Sequence, residues 1–170
     1  MPNPSVLALI KEDWGCNSHA KSKFVLAFYR LAHANGMSRS KVVRTAGIPF
    51  RLAYRVMVDW FMGIDIPWKT RIGRRLVLYH SMGLVVNEAA TLGDDCILRH
   101  SVTIGNKLKP NGETASPRIG NRVEFGAGSI LLGDITVGDG AVIGAGSVVT
   151  KSVRSGSVVV GNPCREISHK

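Results

Sequence analysis

Residues 119–154, IGNRVEFGAGSILLGDITVGDGAVIGAGSVVTKSVR, repeat themselves every six residues. A six-residue period fits neither a helix, whose period is 3.6, nor a plain amphipathic strand, whose period is 2. It predicts a parallel β-solenoid in which each hexad supplies one flat face and one turn, so that three hexads close a coil of about 18 residues. The predicted inward residues are Ile119, Phe125, Leu131, Val137, Ile143 and Val149, with a second inward set at Val123, Ser129, Ile135, Ala141, Ser147 and Val153.

The same register continues upstream of this stretch. Ile66, Ile72, Leu78 and Leu84 keep the six-residue step, and Val86, Leu92, Leu98 and Ile104 resume it after two extra residues. An ordinary β-sandwich with frequent turns is the alternative, but it would not hold one frame for so long. The chain is therefore predicted to divide into an α-helical region, 1–62, and a mainly β solenoid domain, 63–170, with a protruding loop at 105–118. Glycines follow the apolar residue in four hexads, where we expect them to accept turn dihedrals that a Cβ would oppose: Gly120, Gly126, Gly138 and Gly144.

The charge of the chain is strongly basic and unevenly spread. The 170 residues carry a formal net charge of +10, and residues 1–60 hold nine Lys and Arg against three Asp and Glu. A basic balance indicates nucleic acid, a membrane surface or anionic ligands as partners. No nucleic-acid motif is present, and the aromatic residues are not interleaved with the basic ones. A phosphate-rich cofactor and an acidic membrane surface therefore explain the charge better than nucleic acid.

The cysteines and the hydropathy pattern predict a cytoplasmic protein. Cys16, Cys96 and Cys164 are an odd number without a close pair, and no secretion signal precedes them. We expect reduced thiols, with Cys96 as a small core residue at a second inward position. No apolar run is long enough to span a bilayer, so we expect a cytoplasmic location; the alternative is the inner face of the membrane.

Three helices are predicted before the solenoid, and they are expected to cap its first coil. The first is a short helix that runs from an N-cap at Ser5 towards Asp13. The second covers residues 22–34, and the third covers 49–62 with Pro49 in its first turn. A more specific hypothesis is that residues 38–62 bind peripherally to the surface of an anionic bilayer. It rests on basic side chains beside apolar ones: Arg39, Lys41, Arg44, Arg51 and Arg55 beside Trp60, Phe61 and Met62.

Two histidines at equivalent repeat positions are the first candidates for chemistry. His80 and His100 each lie two residues after an inward leucine, so we expect their imidazoles to stack on adjacent coils. Such a histidine is suited to act as a general base near neutral pH. Asp65, 15 residues before His80, is expected near the same corner, one layer down, where it would fix the imidazole tautomer. The alternatives are surface turn histidines, a turn aspartate, or a zinc site, which would need a third protein ligand; we predict no metal.

At these residues the chain resembles the left-handed β-helix (hexapeptide-repeat) acyltransferases over about 62–167. GIDI at 63–66, RIGR at 71–74, His80 and Gly83 are similar to serine acetyltransferases. SVVTKSV at 147–153 and VVVGNPCREI at 158–167 are similar to the closing motif of acetyl-CoA-dependent sugar O-acetyltransferases. GDDCILRHSVTIGN at 93–106 and SPRIGNRVEFGAGSILLGDITVG at 116–138 resemble acetyltransferases of colanic-acid and related exopolysaccharide biosynthesis.

The resemblance implies direct acetyl transfer and a homotrimer. His80 would remove the proton from an acceptor hydroxyl, Asp65 would orient His80, and the resulting oxygen would attack the acetyl-CoA thioester without an acyl-enzyme. CoA would run in a groove between neighbouring subunits. The positions that match the family's CoA contacts are Gly105, Ala127 and Ala145 for the pantetheine arm and Thr150, Lys151 and Arg165 near the nucleotide phosphates.

Departures from the serine enzymes predict a sugar as the acceptor. Those enzymes carry Asp before the catalytic histidine, where this chain has Tyr79, and Arg-His before a loop proline, where it has Ala115 and Ser116. Without the partner charges, a zwitterion would bind poorly. Arg99 and His100 agree with the exopolysaccharide group, so His100 is expected to assist His80 or bind a sugar hydroxyl, and Tyr79 and Arg99 to contact the sugar. The alternatives are a serine O-acetyltransferase of cysteine biosynthesis and a non-catalytic trimeric scaffold.

Overall fold

The computed structural model describes residues 4–108 and 112–169, without the side chain of the last. The chain begins with helices α1 (Val6–Cys16), α2 (Ala20–Gly36), α3 (Lys41–Ala46) and α4 (Ile48–Arg55), and α4 runs on into a π-helical turn at Val56–Phe61. The strands that follow are β1 (Ile64–Asp65), β2 (Arg71–Ile72), β3 (Val77–Tyr79), β4 (Leu84–Val86), β5 (Thr91–Leu92), β6 (Ile97–Arg99), β7 (Thr103–Gly105), β8 (Lys107–Leu108), β9 (Thr114–Ala115), β10 (Arg118–Ile119), β11 (Glu124–Phe125), β12 (Ile130–Leu132), β13 (Thr136–Val137), β14 (Val142–Ile143), β15 (Val148–Val149), β16 (Ser157–Val160) and β17 (Arg165–His169).

The predicted helices are present, with different ends. The hydroxyl of Ser5 accepts a hydrogen bond from the Ala8 N–H at 3.2 Å and caps α1, which continues three residues past Asp13. The third predicted helix is two segments, because α4 ends at Arg55 and a π-helical turn replaces its last part. The sequence pattern missed the short helix α3, whose residues are all exposed.

The strands form a triangular solenoid with three parallel faces. Face 1 holds β1, β4, β7, β12 and β15; face 2 holds β2, β5, β10 and β13; face 3 holds β3, β6, β11, β14 and β16, with β17 antiparallel on β16. The chain visits the faces in this order in every coil. The third corner is the name used below for the turn from face 3 of one coil to face 1 of the next.

The inward column predicted from the six-residue period is confirmed. Its members are buried on successive rungs, and the second inward set is buried as well, including Cys96, which is fully enclosed. Each such aliphatic side chain stabilises the fold by about 1.5–3 kcal/mol relative to an exposed one. The column consists of Ile66, Ile72, Leu78, Val86, Leu92, Leu98, Ile104, Ile119, Phe125, Leu131, Val137, Ile143 and Val149.

The two extra residues lie in a turn that the sequence pattern did not locate. Tyr79 pairs with Arg99 after 20 residues, whereas Val85 pairs with Thr103 after 18. The insertion therefore falls between Tyr79 and Val85, in the third corner, and not after Leu84. Leu84 is buried, but it occupies a second inward position opposite Ile64.

The repeat glycines have a different role from the predicted one. Gly120, Gly126, Gly138 and Gly144 are not in the left-handed region; the residue two positions later is, as in Gly140 and Gly146 with φ of 69° and 66°. A Cβ at Gly126 would overlap the backbone of Ala145 in the next coil. These glycines are therefore needed because they let adjacent coils approach, not because of their own dihedral angles.

The chain leaves the coil between faces 1 and 2 in the region predicted as a protruding loop. Strands β8 and β9 form an exposed antiparallel hairpin, and residues 109–111 of that loop lie outside the described residues. The solenoid closes beneath it, because Leu92 of β5 pairs with Ile119 of β10.

The helical region covers the outer backbone edge of the first coil, as predicted. Strands β1, β2 and β3 have no coil below them, and an uncovered sheet edge leaves backbone groups unpaired. Polar side chains from the helices take the place of a neighbouring strand. The hydroxyls of Tyr54, Tyr29 and Ser22 donate to the carbonyls of Ile66, Thr70 and Leu78 at 2.7, 2.6 and 2.7 Å, and the Asn17 amide donates to the Leu76 carbonyl at 2.7 Å and accepts from the Leu78 N–H at 2.9 Å.

A buried ion pair completes this edge. Arg30 donates from Nε to the Asp13 carboxylate at 2.7 Å, and the two side chains are 3% and 2% exposed. Arg30 also donates to the carbonyls of Ile72, at 2.8 Å, and Gly73, while Asp13 accepts from the Leu76 N–H at 3.1 Å. Every polar contact of the pair is thus directed at the first coil or at its own partner.

Arg30→Ala is expected to lower the free energy of unfolding by about 3–5 kcal/mol, because it leaves the Asp13 charge buried without its partner. Urea unfolding at fixed protein concentration measures the change. Lys69→Ala is the matched control: its pair with Glu88 is about half exposed, so the loss should stay under about 1 kcal/mol. Equal losses in the two variants would contradict the role given to the buried pair.

Candidate active site

A column of residues at the third corner brings several candidate site residues together. The Ser101 N–H donates to the Met82 carbonyl at 2.9 Å, the Gly128 N–H to the His100 carbonyl at 3.0 Å, and the Gly146 N–H to the Ala127 carbonyl at 2.9 Å. His100 and Ala127 therefore lie on successive coils of one ladder, and Ala145 follows on the next coil. Ala127 is half-buried and Ala145 exposed.

His80 follows the strand of face 3 that lies directly below the strand preceding His100. The two histidines nevertheless occupy different positions in their turns. Tyr79 and Arg99 pair across the two rungs, so the histidines follow paired residues. His80 itself has a left-handed φ of 49°, and its carbonyl accepts from the Met82 N–H at 2.7 Å. In the next coil Ser101, not His100, is left-handed. The predicted shared turn position is therefore not observed: because of the two-residue insertion, Met82 occupies the ladder position below His100. Both histidine side chains are exposed.

Asp65 lies near the predicted corner, two residues past Gly63, on the first strand of face 1. It pairs with Val85, because the first coil takes 20 residues and not the 18 of the repeat. Among the described residues its carboxylate makes no hydrogen bond or ion pair, with His80 or with any other group. The structure therefore places Asp65 one coil below His80 without the expected direct bond between them.

The surroundings of Asp65 are acidic and partly enclosed. Asp65 lines a cavity of about 170 Å³ together with residues of α4 and the π-helical turn, including Arg55 and Asp59. Burial raises the pKa of the Asp65 carboxyl, the charge of Asp59 raises it further, and Arg55 opposes them. The folded protein therefore favours the protonated form of Asp65 more than an unfolded chain does.

The structure adds His19 to the candidate site. The sequence pattern did not identify this residue of the helical region as part of the site. The rings of His19 and His80 have centroids 5.0 Å apart and an interplanar angle of 48°. His19 stands at the N-cap of α2 and makes no side-chain cap bond there. Within residues 4–108 and 112–169, no three His, Cys, Asp or Glu side chains are grouped as metal ligands.

Tyr79 and Arg99, the predicted acceptor contacts, lie side by side on the outer surface of face 3. The Arg99 guanidinium is 5.8 Å from the centroid of the Tyr79 ring. It also donates to the Glu124 carboxylate at 2.8 Å and to the Phe125 carbonyl at 3.1 Å. Arg99 is therefore held in one place, directly before His100, with its charge paired.

Three of the remaining candidate CoA residues, Gly105, Thr150 and Lys151, lie at the opposite edge of face 1. Gly105 pairs with Leu132 at the end of that face, where a Cβ would come within 2.8 Å of the leucine side chain. Thr150 and Lys151 are exposed and directly follow β15. Arg165 lies on the other side, near the third corner: it opens β17 beside Val160 of face 3, and the Cys164 N–H before it donates to the carbonyl of Val148, the first residue of β15, at 3.1 Å.

The candidate CoA residues thus form two separate groups in one protomer. Ala145 and Thr150 are five residues apart along one strand connection, so their Cα atoms are separated by at most about 18 Å. The third-corner group and the β15-end group flank face 1 on its two sides.

Comparison with known proteins agrees with this architecture. Residues 116–151 match the family described as bacterial transferase hexapeptide (six repeats). The Escherichia coli K12 protein WcaB, which carries the name of a colanic acid biosynthesis acetyltransferase, is 42% identical over 139 residues, covering 81% of this chain and 85% of WcaB. A Helicobacter pylori 26695 serine acetyltransferase is 38% identical over 143 residues, covering 84% of this chain and 79% of that enzyme. The chain belongs to the hexapeptide-repeat transferases.

Solved structures of this family share the fold. The soybean serine acetyltransferase apoenzyme superposes with a TM-score of 0.81 at 31% identity, over 97% of this chain and 70% of the soybean chain. A serine acetyltransferase in complex with CoA gives a TM-score of 0.71 at 27% identity, over 88% of this chain and 58% of that one. The left-handed β-helix and the acyltransferase class predicted from the sequence are confirmed.

Asp65→Asn is expected to stabilise the protein at pH 7. Because the pKa of Asp65 is raised on folding, its ionisation costs stability once the pH exceeds the unfolded-state value of about 3.9. The gain should stay under about 1 kcal/mol, because partly exposed charges are screened, and should vanish as the pH falls towards about 4.

Urea unfolding at pH 7, 5.5 and 4 measures this gain. Asp134→Asn is the matched control, because Asp134 is exposed and pairs with Arg118 at 2.9 Å; it should show no gain at any pH. A destabilised Asp65→Asn variant at pH 7 would mean that the carboxylate has a favourable partner in the folded state.

Proposed function

We propose that this chain is an acetyl-CoA-dependent O-acetyltransferase that acylates a sugar hydroxyl in the biosynthesis of a surface polysaccharide. The observation that carries the proposal is the third corner. It places His100 in line with two small residues, Ala127 and Ala145, and His80 on the coil below, at a different position of the same turn. A base and a narrow path for an extended thioester are the parts that acetyl transfer to a hydroxyl requires.

His80 is the general base in this proposal. Its imidazole takes the proton of the acceptor hydroxyl while the oxygen forms a bond to the thioester carbonyl carbon. The tetrahedral intermediate collapses as the carbon–sulfur bond breaks, and the CoA thiolate takes the proton from the imidazolium. Backbone N–H groups are suited to stabilise the oxyanion. His100, one coil away, assists His80 or binds a sugar hydroxyl, and Asp65 contributes its charge beside the site without a direct bond to His80 in this structure.

CoA is proposed to lie between two copies of the chain in a homotrimer. The small side chains of Ala127 and Ala145 allow the pantetheine arm to approach the backbone, and Gly105 does the same at the other edge of face 1. Thr150, Lys151 and Arg165 supply a hydroxyl, an ammonium and a guanidinium for the phosphates. The two groups flank face 1 in one protomer, so a neighbouring copy is needed to bring one group opposite the other.

The acceptor side favours a neutral polar ligand. At position 79 the chain presents a tyrosine ring in contact with Arg99, and Arg99 already pairs with Glu124. At position 116 the serine hydroxyl donates to the Asn87 side chain at 2.9 Å. These groups offer no free carboxylate or guanidinium for the amino and carboxylate groups of an amino acid, which must be paired when desolvated. A sugar has no such requirement.

Serine is the second candidate acceptor. It is favoured by the likeness of the whole chain to solved serine acetyltransferases, which spans 97% of this chain in the soybean apoenzyme. In that case the acceptor site would have been rebuilt around Tyr79.

The activity is tested with purified protein, acetyl-CoA and a thiol reagent that reports CoA release. We expect release with surface-polysaccharide repeat-unit oligosaccharides and none above background with serine. His80→Ala should lower the rate by about 10²–10⁴ while calorimetry shows nearly unchanged CoA affinity. Rapid release with serine would overturn the sugar assignment, and a wild-type rate in His80→Ala would overturn the base.

The helical region is proposed to hold the enzyme at the cytoplasmic face of a membrane, beside a lipid-linked acceptor. Residues 38–62 carry five basic side chains and one acid, Asp59. In the same segment Trp60 is 80% and Phe61 83% exposed, and Leu52 and Ile48 are also exposed. Exposed aromatic and aliphatic side chains within a basic surface match an anionic bilayer. No helix in the described part of the chain has the length and apolarity needed to cross a bilayer.

Flotation with anionic phosphatidylglycerol vesicles at low salt tests this surface. We expect wild-type protein to float, and the double variant Trp60→Ser, Phe61→Ser to bind at least about tenfold more weakly, because each lost aromatic side chain removes apolar insertion. Ile167→Ser, at a similarly exposed residue near the C-terminus, is the control and should float like wild type. The membrane contact would be contradicted if wild-type protein did not bind the vesicles. It would also be contradicted if the double variant bound them like wild type and differed only in its oligomeric state.

A further inference from the structure

We propose that His19 is a positioning residue for His80, so that the helical region supplies part of the active site. This inference rests on the proposed role of His80 as the base. Among the described residues, the ring of His19 is the aromatic group that contacts the His80 ring, at a centroid distance of 5.0 Å. The contact joins residues 61 positions apart in the sequence, one before α2 and one after β3.

The position of His19 is set by two anchors on either side of it. Asn17 accepts from the Leu78 N–H at 2.9 Å, and Ser22 donates to the Leu78 carbonyl at 2.7 Å. Both anchor side chains are buried. Leu78 lies two residues before His80 on the same strand end. The six-residue segment 17–22, which contains His19, is therefore fixed to the backbone from which His80 projects, and this attachment brings the His19 ring against the His80 ring.

His80 needs such a neighbour because little else restrains it. Its side chain is exposed, and its backbone is left-handed at an inserted turn rather than in the ladder of the repeat. Asp65 forms no hydrogen bond with it. A base that rotates freely between rotamers spends less time aligned with its substrate, and small misplacements of a catalytic group are costly in rate. Packing of the His19 ring against one side of the His80 imidazole favours a subset of those rotamers.

The size of the effect follows from the strength of ring packing. An aromatic pair biases an equilibrium by roughly two- to tenfold. The effect should appear in kcat and not in the KM for acetyl-CoA, since His19 lies on the helical side of the corner, away from Ala127, Ala145 and the end of β15. A residue needed only for folding would instead reduce stability and CoA affinity.

The test compares His19→Ala, His19→Phe and the control Lys11→Ala in the full chain, with the oligosaccharide that best supports CoA release. Lys11 is exposed on α1. We expect kcat to fall roughly three- to tenfold in His19→Ala at unchanged KM for acetyl-CoA, and to recover to within about twofold in His19→Phe, which keeps a ring. An unchanged kcat in His19→Ala, or equal losses in the alanine and phenylalanine variants, would overturn the proposal.

A second measurement does not depend on the acceptor. Diethyl pyrocarbonate modifies exposed imidazoles, and mass spectrometry of the peptide that contains His80 reports its rate of modification. We expect faster modification of His80 in His19→Ala and a wild-type rate in His19→Phe and Lys11→Ala. An unchanged rate in His19→Ala would show that His19 does not cover His80. That result would leave the base assignment intact, because the assignment depends separately on His80→Ala.

Discussion

The exposed backbone edge of the first coil is the constraint on which the rest of the structure depends. A solenoid satisfies the backbone of each coil with the next one, but β1, β2 and β3 have no coil beneath them. The helical region supplies the missing partners with buried hydroxyl, amide, carboxylate and guanidinium groups, and the Asp13–Arg30 pair lies at the centre of that contact. A buried donor or acceptor left without a partner costs about 1–3 kcal/mol, so these bonds decide whether the first coil, and with it the start of the stack, is stable.

The same contact connects stability with the candidate active site. Asn17 and Ser22 hold the end of β3, and His80 emerges from that end two residues later. The cap therefore orders the turn that carries the candidate base and at the same time places His19 against it. In this fold the helical region is not a separate appendage to a catalytic solenoid, because its anchors and the candidate base share one short strand.

Repetition explains how much of the fold and the site could be predicted from the sequence. Residues such as Phe125 and Ile143 were identified as core because the period acts locally, within each hexad. The column of His100, Ala127 and Ala145 follows from the same register. The prediction was wrong where one coil departs from the repeat, because two extra residues between Tyr79 and Val85 separated the turn positions of His80 and His100. It was also wrong about glycines such as Gly126, whose requirement comes from the adjacent coil and is invisible within one hexad.

The sequence by itself determined the solenoid, its inward residues and the family, because each of these depends on residue types at fixed short spacings. Only the tertiary structure decided which side of the first coil is covered, which residues cover it, and that a histidine from the helical region lies against His80. Those contacts join segments about 60 residues apart. They depend on the direction in which α1 and α2 cross the edge of the coil, and no periodic pattern encodes that direction.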